Sequence, residues 1–168
     1  MTKRTVVAAA LVLVATALVA AAAVSERAGA GSGGESAANQ LAGTWRVTVN
    51  RPAPLPPLHS LQVFTDDGSV IEMANEWTAT RTASYGSWER IHGRLYAATA
   101  EFFRFNPQSG AYLGKQKINR TIRLADDGQS FTHVARVTSF DPDGNVLASF
   151  NAAASGERMQ VERISDEP

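Results

Sequence analysis

Residues 117–138 read KINRTIRLADDGQSFTHVARVT, and this stretch decides the fold class. On both sides of its centre, apolar and polar residues alternate with the period of a β-strand that has one buried face. The central Asp127-Gly128 supplies the positive φ angles that a tight turn requires. Counting outward from this turn pairs Leu124 with Phe131, which puts apolar side chains opposite each other on one face. The stretch therefore predicts a β-hairpin.

The same pattern recurs along the chain. Turn sequences also occur at 65–69 (TDDGS) and 141–145 (DPDGN), and a turn at the latter pairs Val137 with Phe150 or Ala148. No apolar period of 3.6 residues is sustained beyond residue 41, so this part of the chain is predicted to be all-β. We count eight or nine strands, over 43–50, 59–65, 69–76, 84–91, 94–105, 112–124, 130–140, 145–151 and 157–164.

A meander of this length is best stabilised by closing on itself, because closure removes exposed strand edges. The sequence therefore predicts a single up-and-down antiparallel β-barrel of eight or nine strands over residues 41–165. Its apolar face begins with Trp45, Val47 and Val49 on the first strand. On the next two strands we expect this face to continue through Leu61, Val63, Ile71 and Met73.

The first forty residues have a different character. Lys3 and Arg4 precede an apolar run over 6–24, and small residues follow at 21–23 and 28–30. This order is typical of a secretory signal peptide, predicted over 1–30, with an uncleaved membrane anchor as the alternative. Residues 31–40, rich in Gly, Ser and Ala, are predicted to form a flexible linker. We therefore expect a secreted or periplasmic protein, with no stable membrane partner unless the leader is retained.

Charge and composition exclude several classes of protein. Sixteen basic residues balance sixteen acidic ones without forming a block, so a nucleic-acid partner is not expected. The absence of cysteine excludes disulfides, thiolate metal sites and a cysteine nucleophile. The three histidines, His59, His92 and His133, are scattered singly, so we expect no metal site and no cofactor. The predicted barrel is expected to be a monomer.

A Gly-x-Trp triplet opens the first predicted strand as Gly43-Thr44-Trp45, after the leader and before a proline-rich connection over 50–58. With the hairpin-linked strands, this resembles the calycins, the superfamily of lipocalins, fatty-acid-binding proteins and avidins. The resemblance implies a barrel closed at one end by Trp45, with Arg158 or Arg163 packed on its ring. It also implies that the 50–58 connection lies beside the barrel mouth, as a ligand lid or as a stiff connector.

Polar residues interrupt the predicted apolar faces and suggest a binding site. Gln116 and Arg120 share the alternation of Ile118, His133 shares that of Phe131, and Glu101 shares that of Phe103. A charge inside a barrel is costly unless it is paired or solvated, which predicts either an internal Glu101–Arg120 network or a cavity with polar anchors. The lumenal candidates for binding a small apolar molecule with a polar end are Glu101, Phe103, Gln116, Arg120, Phe131, His133, Phe150 and Trp88, with Tyr112 as a further apolar wall.

Two other classes of function stay open from the sequence. A barrel cyclase or isomerase would need Glu101, Arg120 and His133 to converge beside a cavity for acid–base chemistry. A structural or inhibitor-like module would instead have an interior filled by its own aromatic side chains. No serine lies in a Gly-x-Ser-x-Gly motif, so a serine hydrolase is not indicated.

Overall fold

The computed structural model describes residues 40–51, 54, 56–76 and 79–164. Eight antiparallel strands, each hydrogen-bonded to the next, close into a barrel in which β8 pairs with β1. The predicted all-β up-and-down barrel is therefore confirmed, and it is compatible with a calycin-like fold. The strands are β1 (Gly43–Asn50), β2 (Leu58–Phe64), β3 (Ser69–Ala74), β4 (Ser84–His92), β5 (Leu95–Phe105), β6 (Tyr112–Leu124), β7 (Ser130–Phe140) and β8 (Val146–Arg158).

The meander gives the barrel two different ends. At one end lie the short turns 65–68, 93–94 and 125–129, together with the start of β1 and the end of β8. At the other end lie the ends of β1, β3, β5 and β7 and the starts of β2, β4, β6 and β8. We call these the closed end and the open end. The predicted pairs Leu124 with Phe131 and Val137 with Phe150 are both present in the register.

The closed half of the barrel is filled by its own side chains. Trp45 packs on Phe131, with 4.8 Å between ring centroids, and Phe131 in turn contacts Phe64 edge-on at 6.3 Å. Its indole N–H donates to the carbonyl oxygen of Leu41, 3.0 Å away, so the buried polar atom of the ring is satisfied. The buried aromatic and aliphatic residues of this layer are Leu41, Trp45, Val47, Phe64, Val70, Trp88, Tyr96, Ile122, Leu124 and Phe131.

A ninth strand does not form, because β8 runs without interruption from Val146 to Arg158 and residues 159–164 carry no strand. The predicted break at 152–156 falls on a run of small residues, AAASG. Ala154 and Gly156 face a crowded interior, where there is little room for a larger side chain. A Cβ at Gly156 would collide with the ring of Phe131, and Ala154 is buried in the core.

The predicted inner face of β2 and β3 is wrong. Leu61, Ile71 and Met73 point outward and are exposed, whereas Gln62 and Glu72 are buried inside the barrel. The register follows from the turn at Gly68, which pairs Phe64 with Val70 and, two residues further, Gln62 with Glu72. Beyond the buried pair Phe64 and Val70, these two strands therefore carry polar Gln62 and Glu72 inside and apolar Leu61, Ile71 and Met73 outside, the reverse of the usual alternation.

The predicted signal peptide and nearly all of the predicted linker lie outside the described residues. No helix within the described part of the chain is long and apolar enough to cross a membrane.

Candidate functional site

The open half of the barrel contains a cavity of about 280 Å³. Its walls are largely apolar and come from Phe102, Ile118, Ala135, Val137 and Phe150, with Val49 and Leu58 near the mouth. Phe102, Ile118, Ala135 and Val137 form a small buried cluster separate from the aromatic layer at the closed end. The barrel interior is therefore divided, with a packed closed half and a hollow open half.

A layer of buried polar side chains forms the floor of this cavity. The carboxylate of Glu72, on β3, binds the Arg120 Nη2 atom of β6 and lies 3.7 Å from Nη2 of Arg81. All three side chains are almost fully enclosed. Gln62 on β2 donates through Nε2 to Glu72 Oε2 at 3.4 Å and to Ser60 Oγ at 3.3 Å. Strands from opposite sides of the barrel are thus joined through one carboxylate.

The ion pairs continue from this floor to the mouth. Arg81 Nη1 lies 3.4 Å from Oε2 of Glu76, and Glu76 Oε1 lies 3.0 Å from Nη1 of Arg51. Arg51 also donates to the carbonyl oxygen of Pro56 at 2.8 Å, so it ties together the connections that follow β1 and β3. An alternating chain of charges, Arg51–Glu76–Arg81–Glu72–Arg120, therefore runs from the half-exposed mouth to the buried floor.

Arg81 is held in this chain by contacts on all sides. Its guanidinium carbon lies 3.7 Å from the centroid of the Phe102 ring, close enough for a cation–π interaction. Its Nη2 atom donates to Ser84 Oγ at 2.7 Å, and its Nε atom donates to the carbonyl oxygen of Thr82 at 3.3 Å. These contacts account for the buried position of the Arg81 side chain.

Arg120 is different, because only one of its three nitrogens is satisfied. Its Nε and Nη1 atoms are buried and have no hydrogen-bond partner among the described residues. The same is true of Gln62 Oε1 and of both ring nitrogens of His133. Most buried polar atoms in proteins are paired with protein or with ordered water, so unpaired ones around a cavity indicate that water or a polar group of a ligand pairs with them.

His133 is neutral in the folded protein at neutral pH. Burial, with a smaller contribution from the positive charge of Arg120, lowers the pKa of His133 to about 3. A neutral imidazole offers one donor and one acceptor. His133 can therefore hydrogen-bond to a ligand but does not add to the positive charge of the site.

The structure divides the lumenal candidates between the cavity, the packed aromatic layer and the outer face of the barrel. Gln116, Arg120, His133 and Phe150 line the cavity. Gln116 donates to Ser139 Oγ at 2.7 Å, and Phe150 lies half-exposed at the mouth. Trp88 and Phe131 instead belong to the packed aromatic layer. Trp88 donates its indole N–H to the carbonyl oxygen of Thr65 at 3.0 Å.

The prediction that Glu101 and Phe103 face the lumen is wrong. Glu101 lies on the outside of β5 and pairs with Lys115 at 2.8 Å, while Phe103 is exposed and packs on Tyr112. Phe102 is the buried residue of this segment. Two consecutive phenylalanines make the alternation of β5 ambiguous, and the inward series runs through Tyr96, Ala98, Ala100 and Phe102. Glu101 therefore does not join Arg120 and His133 as a cyclase or isomerase would require.

Sequence reasoning missed Glu72, Arg81 and Gln62. The turn at Gly68 contains the signal that locates two of them, since counting from the pair Phe64 and Val70 brings Gln62 and Glu72 inside. Arg81 lies outside the named strands, and its backbone forms an isolated antiparallel β-bridge with Arg104 of β5. Nothing in the alternation of strand residues indicates its position.

The closed end is organised around Arg158. Its guanidinium carbon lies 4.2 Å from the Trp45 ring centroid, and the group donates to the carbonyl oxygens of Ala42 and Gly128 at 2.7 and 2.9 Å. Gly43 adopts φ of 132°, and a Cβ there would contact the Arg158 guanidinium. The Gly43-Thr44-Trp45 triplet thus gives the arginine room to lie on the indole. Arg163, the other residue considered for this role, is exposed.

No protein-family model matches the chain, and no curated protein matches its sequence. Among the described residues, no group of three His, Cys, Asp or Glu side chains could hold a metal ion.

Proposed function

We propose that this chain is an exported calycin-type barrel that binds a small, largely apolar molecule by its polar end. The molecule occupies the open half of the barrel, with its apolar part against Phe102, Ile118 and Val137 and its polar end towards Arg120 and His133. Specificity would come from the few polar groups of the floor, as in most small-molecule sites.

One observation carries this proposal. A cavity with apolar walls ends on a floor where Arg120 and His133 have buried polar atoms without partners among the described residues. A protein that used the barrel only as a scaffold would gain stability by filling the space and pairing these atoms. The closed half of the same barrel is filled in this way by its aromatic layer.

Ligand-observed NMR on the purified protein tests the proposal. The probes are three compounds of similar size and different polar end, namely 4-phenylbutan-2-one, 4-phenylbutanamide and 4-phenylbutanoate. We expect saturation transfer from the protein to at least one of them. Absence of transfer to all three at millimolar concentration would overturn the proposal.

A matched pair of variants locates the binding. Ala135 faces the cavity on β7, and its neighbour Val134 faces solvent on the same strand. Ala135→Trp fills part of the cavity and is expected to abolish the transfer, whereas Val134→Trp leaves it unchanged. Equal effects of the two variants would mean that the probes bind outside the barrel.

Export and the monomeric state are part of the same proposal. Mass spectrometry of the protein recovered from the periplasm or medium of a bacterial host is expected to show a chain that starts near residue 30. Recovery of the full-length chain in the membrane fraction would support the anchor instead. Light scattering is expected to give the mass of one chain.

A further inference from the structure

We infer that the ligand of this cavity is an organic anion, a carboxylate of roughly ten to twelve non-hydrogen atoms, and that its charge completes the ion-pair chain at Arg120. This inference rests on the proposed function, since it specifies the ligand of the same cavity. It distinguishes a carboxylate from the neutral carbonyl compounds that the cavity walls would accept equally well.

The chain of ion pairs carries an excess of positive charge. The chain from the mouth to the floor contains three guanidinium groups, of Arg51, Arg81 and Arg120, and two carboxylates, of Glu72 and Glu76. One positive charge is therefore left over. Because arginine does not lose its proton in proteins and His133 is neutral, no protonation change within the cavity removes this excess at neutral pH.

The position of the excess charge is the second argument. Arg51 is partly solvated at the mouth, and Arg81 has Glu72, Glu76, Ser84 and the Phe102 ring around it. Arg120 is 4% exposed and shares its only carboxylate, that of Glu72, with Arg81. Its Nε and Nη1 atoms are buried donors without a partner among the described residues, on a side chain that lines the cavity. The buried end of the chain is thus the place where a further negative charge is stabilised most.

Hydrogen-bond chemistry is the third argument. Hydrogen bonds between a guanidinium and a carboxylate are about twice as strong as those between neutral groups, and more so where water is excluded. The donor of neutral His133 can serve the same carboxylate. A neutral carbonyl compound makes the same contacts without compensating the charge, so it is expected to bind more weakly.

Volume sets the size of the ligand. An engineered apolar cavity of about 150 Å³ holds a benzene ring. A cavity of about 280 Å³ therefore holds roughly twice as many atoms, which corresponds to a ring with a short chain or to a medium-length aliphatic acid. A long-chain acid would extend through the mouth past Phe150.

Isothermal titration calorimetry with 4-phenylbutanoate and 4-phenylbutanamide tests the inference, because the two probes differ in charge and hardly in shape. The wild-type protein is expected to bind the carboxylate at least about tenfold more tightly than the amide at pH 7. Equal affinities, with both probes excluded by Ala135→Trp, would overturn the charge inference and leave the proposed function standing. If neither probe bound, nor 4-phenylbutan-2-one, the proposed function would be overturned.

Two variants identify the residue responsible. Arg120→Gln is expected to bring the affinity for the carboxylate down to that for the amide, while Arg123→Gln, on the exposed face of the same strand, keeps the wild-type ratio. If Arg120→Gln fails to fold, the double variant Arg120→Gln/Glu72→Gln removes both members of the buried pair and leaves the net charge of the chain unchanged. It therefore tests whether the preference depends on the Arg120 guanidinium itself, and it is expected to lower the ratio of the two affinities. A retained preference for the carboxylate in either variant would overturn the assignment to Arg120.

Discussion

The buried His133 makes the stability of this protein depend on pH in a way that can be calculated. In the unfolded chain its imidazole has the ordinary pKa of about 6.5, whereas burial and Arg120 lower the pKa of His133 to about 3 in the folded barrel. Between these values the unfolded chain binds a proton that the folded chain does not. Stability is therefore fully present above pH 6.5 and falls as the pH decreases towards 3.

The size of the effect follows from the two pKa values of His133. Between pH 7 and pH 5 the unfolded state takes up about three quarters of a proton at this residue and the folded state almost none, which lowers the unfolding free energy by about 2 kcal/mol. Replacing His133 by Gln removes this contribution. The variant is expected to lose about 2 kcal/mol less than the wild type over the same interval, whatever its stability at pH 7.

Urea unfolding followed by tryptophan fluorescence at both pH values measures the difference. Acidic side chains titrate in the same range, but they are common to both proteins and cancel in the comparison. His92→Gln, at an exposed position of β4, is the matched control and is expected to keep the wild-type loss. An equal pH dependence in His133→Gln and wild type would refute the account of a buried neutral histidine.

Three further outcomes are expected. Gly86→Ala should destabilise the barrel by about 3 kcal/mol in urea unfolding. A Cβ at this position would collide with the carbonyl oxygen of Thr99 and approach Cα of Ala100 to 2.6 Å. A loss of stability under about 1 kcal/mol would contradict this contact. Arg158→Met should lower the free energy of unfolding by about 2 to 4 kcal/mol, because it removes the hydrogen bonds to the carbonyl oxygens and the cation–π contact at the closed end. An unchanged midpoint of urea unfolding would contradict that role. Glu76→Gln should release Arg51 at the mouth and raise the association and dissociation rates of the neutral 4-phenylbutanamide up to about fivefold in stopped-flow measurements, whereas slower exchange would contradict a role of the Arg51–Glu76 ion pair in closing the mouth.

Much of the fold could be predicted from the sequence because local chemistry determines it. Asp-Gly turns fix the ends of hairpins, and counting from Gly128 gives the observed pairing of Leu124 with Phe131. The strands β6 and β7 follow the usual alternation, so the inward positions of Arg120 and His133 could be read directly. Both residues lie in the site.

The rest of the site could not be predicted because its strands violate the same rule. β3 carries Ile71 and Met73 outside and Glu72 inside, so a search for apolar alternation selects the wrong face. In β5, the consecutive residues Phe102 and Phe103 make the alternation ambiguous. The sequence therefore predicts a lumenal Glu101, whereas Glu101 lies on the outside of the barrel. The inward carboxylate of Glu72 is tolerated because it pairs with Arg81 and Arg120, which lie on other segments of the fold. Such pairing across the barrel cannot be predicted from the sequence of a single strand.

The most direct test of the central claim is a crystal structure of the protein grown with 4-iodobenzoate. Its iodine atom is located by anomalous scattering independently of the map for the protein. The carboxylate is expected against Arg120 and His133, with the iodine towards Phe102 and the mouth. Iodine bound only outside the barrel, or an open half filled by the protein's own side chains, would contradict the account.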